Sequence, residues 1–589
     1  MRTIRHWLAA IGFGFALAMA GSAFSVKADD TAYERPEGKP AAELPHVRLP
    51  VEGQGHGTLQ GGTGDHSKME ALKGPFADTA AVTKACLSCH TEAGKHILKT
   101  THWTWEFKNK NTGQTVGKQH VINNFCTNAK GNEGMCAQCH IGNGWQENTA
   151  YDFSRQDNID CLICHDRTNS YYRLPQTHGH DACGVMFEGK QPIDFAKVAQ
   201  NVGTPTRDNC GSCHYNGGGG DGVKHGDLDS SLNDPPKALD VHMAKDGGNF
   251  ACTKCHVTDQ HNIAGGHYQM VARDTTGTGK PGQTRNVATC ESCHGMSPHE
   301  KTELIGIQLN THATRVACQT CHIPEMARGG VATMIDWDWA TAGKMKDGKG
   351  YFEEEYKQGD GKERHTYWTI KGDFKWGENV KPSYKWFNGD FLYTMPETQF
   401  DPAKAPIAIN EVLGDPRDPK SRIWPFKEMH TNQPYDAGNN TLAFNHLWGK
   451  DDTAYWGNFN MEKSIAAGMM QAGRPYSGKL GYIRTVSNWP ITHMVAPKQD
   501  AMKCVECHAA DGRLAGLPGV YMPGRDHFRW LDILGFLGLG LTILGITVHG
   551  VLRYVMVPRP GEETGVKAAA DKATADKRTE DTAKKEKKS

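Results

Sequence analysis

Residues 290–322 read CESCHGMSPHEKTELIGIQLNTHATRVACQTCH. The stretch opens and closes on one pattern, C-x-x-C-H, and holds two further histidines, His299 and His312, in between. Two thiols separated by two residues and followed at once by an imidazole meet the needs of covalent haem c attachment. The sulfurs bond to the vinyl carbons of the macrocycle, and the adjacent histidine ligates the iron from the proximal side. A single copy also fits a zinc or redox motif. Eight copies leave almost no room for either: CLSCH (86–90), CAQCH (136–140), CLICH (161–165), CGSCH (210–214), CTKCH (252–256), CESCH (290–294), CQTCH (318–322) and CVECH (504–508). The thioether positions are therefore Cys86, Cys89, Cys136, Cys139, Cys161, Cys164, Cys210, Cys213, Cys252, Cys255, Cys290, Cys293, Cys318, Cys321, Cys504 and Cys507. The proximal iron ligands are His90, His140, His165, His214, His256, His294, His322 and His508. The expected cofactor complement is eight covalent haems c.

The bulk composition agrees. The chain is 38% apolar with 67 glycines, a thin supply of core residues for 589 positions, and large apolar macrocycles would fill the interior instead. The expected fold is a multihaem cytochrome c, mainly short α-helices and long loops wrapped around haems, with little β structure. A formal net charge of zero gives no basic excess to attract nucleic acid. At the start, Arg2 and Arg5 precede an apolar run from Trp7 to Ala20, and small residues lead to a cut before Asp29. Residues 1–28 read as a secretory signal peptide. Near the other end, residues 529–556 carry an apolar run from Ile533 to Leu552 with Trp530 and Tyr554 at its edges. That is the ~20 residues a bilayer-spanning helix needs. Arg553, Arg559 and the terminal KKEKK stretch place the C-terminus in the cytoplasm. The tail 557–589 lacks core-forming residues and reads as disordered. The haem domain, 29–528, is then expected in the periplasm, held to the inner membrane by a single pass.

Spacing adds organisation. The first seven motifs crowd into residues 86–322, and an aromatic-rich insert, 323–503, separates them from Cys504. Within it, YWTIKGDFKW (367–376) and YKWFNGDFLYTM (384–395) alternate around Gly-Asp and Asn-Gly-Asp turns and predict two hairpins, while MEKSIAAGMMQAG (461–473) predicts a helix.

A six-coordinate electron-transfer haem needs a second strong ligand. Of 29 histidines, 21 lie outside the motifs. Those beside aromatic or apolar residues are the distal candidates: His102, His242, His267, His299, His312 and His493. Cys126 and Cys183 belong to no motif. They pair as a disulfide if their Cα atoms come within ~4.4–6.8 Å; otherwise Cys126, ten residues before CAQCH, lines the cavity over that haem.

The strings CLSCHTEAGKHILKTTHWTW, VINNFC, CGSCHYNGGGGDGVKHGDLD, HATRVACQTCHIPEMARGG and RPYSGKLGYIRTVSNWPITHMVAPKQDAMKCVECH together resemble the octahaem tetrathionate reductase family, from about Lys84 to Leu514. That family is related to the pentahaem nitrite reductases and hydroxylamine oxidoreductases. The resemblance implies seven bis-His haems and one active-site haem, the second in sequence, with a lysine amine as distal ligand. Carried onto this chain, that haem takes Cys136, Cys139, His140 and Lys224, with Asp221 as the nearby acid and Cys126, at a shifted spacing, as the cavity cysteine. It implies reduction of tetrathionate, nitrite or hydroxylamine, with electrons from a quinol-linked donor or cytochrome b subunit in the inner membrane. The residues allow it. An amine ligates iron only when deprotonated, and burial beside a cationic centre lowers a lysine pKa. The four glycines before Asp221 let backbone approach a macrocycle closely. A solvated Gly-rich loop is the alternative, and with it a chain that only conducts electrons from the quinone pool to other cytochromes. The membrane helix is a departure that the soluble family pattern does not require.

Overall fold

The computed structural model describes residues 64–122, 128–145, 150–173, 193–276, 287–449, 451–522, 526–556 and 562–586. The signal peptide, Cys126 and Cys183 lie outside the described residues. The chain divides into two units: a larger one running to Cys507 and including Arg513–Val520, and a smaller one with His508–Gly512 and the chain from Tyr521 onward.

Short helices carry the motifs of the larger unit. The first motif ends the helix Thr79–Cys89, whose N-cap Asp78 accepts from Ala81 N. The fourth ends Arg207–His214, which starts in a capping box between Thr206 and Asn209. The sixth and seventh are helices in their own right, Cys290–His294 and Cys318–His322. In segments this short, caps supply much of the stability that length does not. Thiols of different motifs lie against one another: Cys86 on Cys161, Cys139 on Cys213, Cys210 on Cys252 and Cys290 on Cys318. These contacts gather seven of the motifs into three groups, the first with the third, the second with the fourth and fifth, and the sixth with the seventh.

The insert departs from the expectation of little β. It forms a nine-stranded sheet. In chain order its strands are β1 (Thr333–Asp338), β2 (Phe352–Glu353), β3 (Tyr367–Trp368), β4 (Gly372–Gly377), β5 (Ser383–Phe387), β6 (Ile407–Ala408), β7 (Arg422–Asp436), β8 (Thr441–Leu442) and β9 (Leu480–Pro490). The order is β6-β9-β7-β1-β4-β3-β2, with β5 and β8 also on β7. The central β7 pairs antiparallel with β9 from Phe426↔Pro490 to Asp436↔Leu480, and parallel with β1. The first hairpin forms as β3 and β4. The second does not: β5 pairs with β7, and Phe391–Tyr393 pairs with Asn410–Val412. Asn388-Gly389-Asp390 turns the chain there without closing a ladder, since Asp390 is taken up by Asn109 and Asn111 at 2.9 and 2.7 Å. The helix Met461–Gln471 forms where expected, and its buried Met461, Ile465 and Met469 join the core with Trp337, Met429 and Trp489 of the sheet.

In the smaller unit, Arg529–Met556 is one 28-residue helix with an 18-residue stretch of mean hydropathy 2.0, long and apolar enough to cross a membrane. The tail differs from its reading as disordered: Glu562–Glu586 is helical. Its Ala-, Lys- and Glu-rich composition favours helix, and Lys584 and Glu580 form an i,i+4 pair.

Candidate functional site

The sheet builds the floor of the site. Lys427 on β7 and Trp489 on β9 are cross-strand partners. Such neighbours share a face, and both act on the loop 222–227. Lys427 is completely buried, and its ammonium donates to Val223 O at 2.7 Å, Lys224 O at 3.1 Å and Thr333 Oγ1 at 2.5 Å. Three N–H groups meet three oxygens. Thr333 in turn donates to Gly222 O at 2.7 Å and reaches His225 O at 3.3 Å. Four consecutive carbonyls are thereby held from the sheet. Gly222 turns here at φ +68°, where a side chain would be strained.

Fixed in this way, the Lys224 side chain lays its amine 4.4 Å from the centre of the Trp489 ring. Among the described residues the amine has no hydrogen-bond or carboxylate partner. Burial, with Lys118 nearby, pulls it down to about 7. The rings of His225 and His267 flank the same indole at 5.6 and 4.9 Å. His267 Nε2 is 2.9 Å from Tyr393 Oη, and burial, then Lys224, lowers its imidazole to about 3. The Trp489 Nε1–H is buried without an acceptor. Val223 and Trp489 share one apolar cluster with Met135, against which Cys136 packs, so the second motif lies at this site.

His140 of that motif is completely buried in an aromatic box of Trp103, Trp105, Trp145 and Tyr151. Its Nε2 lies 2.6 Å from Trp103 O, its Nδ1 is a buried nitrogen with no hydrogen-bond partner among the described residues, and burial lowers the ring to about 4. One nitrogen anchored and one left over is the donor set that a metal-bound imidazole needs. His165 and His256 show the same division in the other sense, with Nδ1 on Gly203 O at 2.9 Å and on Ala264 O at 2.7 Å.

Two imidazoles that share a metal ion at ~2 Å from each nitrogen stand about 6 Å apart between ring centres. Several pairs here have that separation: His66–His90 at 6.1 Å, His102–His214 at 6.1 Å, His256–His493 at 6.2 Å, His242–His294 at 6.0 Å and His299–His322 at 6.3 Å. Each joins a motif histidine to one outside the motifs, so the residues fit haem iron between them. His96 and His261 form a further pair at 6.1 Å.

Of the distal candidates chosen from sequence, His102, His242, His299 and His493 thus face motif histidines, whereas His267 faces Trp489 and Tyr393. His312 closes the helix Leu304–His312, and His508 follows the helix Cys504–Cys507. Asp221 is engaged by its own loop. Its carboxylate accepts from Ser230 N at 2.9 Å and from Ser230 Oγ. His66, Lys427 and Trp489 were not singled out from sequence. A buried lysine two residues after Trp-Pro, on a run of apolar residues, was the one available signal.

Attachment motifs in mutual contact, with imidazoles poised in metal-spaced pairs, define a multihaem c-type cytochrome. A family model of bacterial cytochrome c matches residues 334–511. The crystal structure of octahaem cytochrome c from Shewanella oneidensis is 39% identical, with a TM-score of 0.65, over 78% of this chain and 97% of that one. No curated protein matches. The chain belongs to the octahaem cytochrome c family, the tetrathionate reductase family that its sequence resembles, and it binds haem c covalently.

Proposed function

We propose that this chain reduces a small inorganic substrate, such as tetrathionate, nitrite or hydroxylamine, at the haem attached through Cys136 and Cys139. His140 would be its proximal ligand and Lys224 its displaceable distal one. The observation that carries this reading is the Lys224 amine, held over Trp489 without a counter-ion and lowered to about 7. An amine that is easily neutral can bind a metal, and it yields its place more readily than a locked imidazole. The bound haem supplies Lewis acidity and electrons. A Lys224 amine not engaged by the metal would take up a proton from water and hand it to substrate, an exchange that an amine lowered to about 7 makes readily. The spare Trp489 Nε1–H is a donor for a bound oxyanion, and the Tyr393 hydroxyl and His267 Nε2, 2.9 Å apart, share one proton between them. The paired imidazoles above hold the haems that feed the site. Asp221 supports the loop through Ser230 rather than acting on substrate.

We further read the helix Arg529–Met556 as a single-pass inner-membrane anchor that keeps the haem domain in the periplasm beside a quinol-linked donor or a cytochrome b subunit. The metal-spaced pairs alone would serve a conduit equally well, and Lys224 separates the two readings. Lys224→Ala should leave every haem attached, since no thioether involves the amine, and change the spectrum of one haem alone. Activity with reduced viologen as donor should fall ~100-fold, the scale of lost acid–base assistance. His225→Ala should leave that ligation unchanged. An unchanged spectrum and rate in Lys224→Ala would favour the conduit.

A further inference from the structure

Three residues after Lys224, the same loop carries Asp227, a carboxylate only 1% exposed. Its Oδ2 accepts from Thr492 N at 2.7 Å and His493 N at 2.9 Å, and lies 3.2 Å from His493 Nδ1. Its Oδ1 is buried without a partner. The Lys427 amine, which burial drives well below the usual lysine range, interacts with it electrostatically. His493 is the imidazole that faces His256 of the fifth motif at 6.2 Å. No other imidazole among the metal-spaced pairs has a carboxylate on its ring nitrogen within the described residues. His299 Nδ1 has the neutral Asn310 Oδ1 at 3.1 Å, and His256 Nδ1 has a backbone carbonyl.

We propose that Asp227 is a positioning residue that sets the potential of the haem held by His256 and His493, making it a stronger reductant than the other paired-imidazole haems. A carboxylate on Nδ1–H fixes the tautomer, leaves Nε2 for the iron and raises the basicity of that nitrogen. A more basic ligand stabilises ferric over ferrous iron, so the one-electron potential falls. The arrangement puts this device on the loop that carries Lys224. The thiols Cys210 and Cys252, and Cys139 and Cys213, touch in turn, so the attachment path leads from the fifth motif through the fourth to the second. One loop then serves both haems: Lys224 at the substrate iron, and Asp227 on the ligand of a strongly reducing neighbour. The inference rests on the His256–His493 pairing proposed above and not on the role of Lys224.

The test uses the full chain with all haems attached, titrated by spectroelectrochemistry with electron paramagnetic resonance to follow individual haems. Asp227→Asn should raise the potential of one low-spin haem and leave its ligation bis-His, while Asp227→Glu should restore the low value. The converse variant, Asn310→Asp, does not depend on the loop folding without Asp227. It puts a carboxylate on His299 Nδ1 and should lower the potential of the haem held by His322. Unchanged potentials in Asp227→Asn, or no change in Asn310→Asp, would overturn the inference. A His493→Ala protein in which no haem changes ligation would instead overturn the pairing on which it stands.

Discussion

Lys427 shows how much the site depends on single atoms. A buried ammonium is costly unless each of its protons is taken up, and here carbonyls of the Lys224 loop take two of them. Lys427→Met would fill similar volume but strand the oxygens of Val223 and Lys224. Each buried acceptor left unpaired costs ~1–3 kcal/mol. The expected outcome is a lower thermal midpoint, together with a changed spectrum of the same haem that Lys224→Ala alters. Retention of that haem's signature at a lowered midpoint would make Lys427 structural only. Legibility in the sequence divides along chemical lines. The attachment residues were legible because two thiols and an imidazole must be contiguous to do their work. The distal partners were legible only where apolar context hinted at burial, as for His102 in TTHWTW, and His66 in DHSKME gave no such hint. The resemblance implied Asp221 as the acid near Lys224, but its carboxylate accepts from two donors on Ser230. Lys427 left only the faint signal of a lysine behind an apolar run, because its carbonyl partners lie some two hundred residues away.

At the scale of elements, the short motif helices followed from local sequence and the sheet did not. β7 opens on the apolar run Ile423–Phe426 and then alternates buried and half-exposed positions, but the buried set there includes the polar Lys427, Thr431 and Gln433, so hydrophobicity in the sequence does not trace the period of two. The sheet also grips the haem region directly. Arg422 at the start of β7 bonds to Glu291, the second residue of the sixth motif, with both side chains nearly inaccessible at 5% and 8%. Breaking a buried ion pair from one side leaves the other charge uncompensated, at ~3–5 kcal/mol. Arg422→Ala should therefore melt well below the unaltered protein when followed in the haem absorption. The double variant Arg422→Met/Glu291→Gln should recover most of the loss by removing both charges. Equal midpoints for all three proteins would mean that the pair does not hold the insert to the motif.

For the whole molecule, the open question is what confines it to a surface. The helix Arg529–Met556 has 28 residues, and at ~1.5 Å per residue it exceeds the ~30 Å hydrocarbon thickness with room for tilt. Its large side chains, from Leu531 and Phe536 to Val551, are exposed on all faces, as in a membrane span and unlike an amphipathic surface helix. Trp530 and Tyr554 stand at its two ends, and Arg553 and the lysines that follow favour the cytoplasmic side for the C-terminus. All eight motifs are complete by His508, before this helix begins. A chain ending before Arg529 should therefore be exported, acquire every haem and appear in the soluble periplasmic fraction. Mass spectrometry of the denatured fragment should show eight covalent haems, and viologen-linked activity should match that of the detergent-solubilised full chain. If the helix anchors the haem domain beside a quinol-linked donor, as proposed, reduction by quinol in membranes should be lost. A haem-loaded fragment that stayed with the membranes through a high-salt wash would show a second attachment and overturn the single-anchor reading. A soluble fragment with unimpaired quinol-linked reduction would show that the anchor does not serve electron delivery.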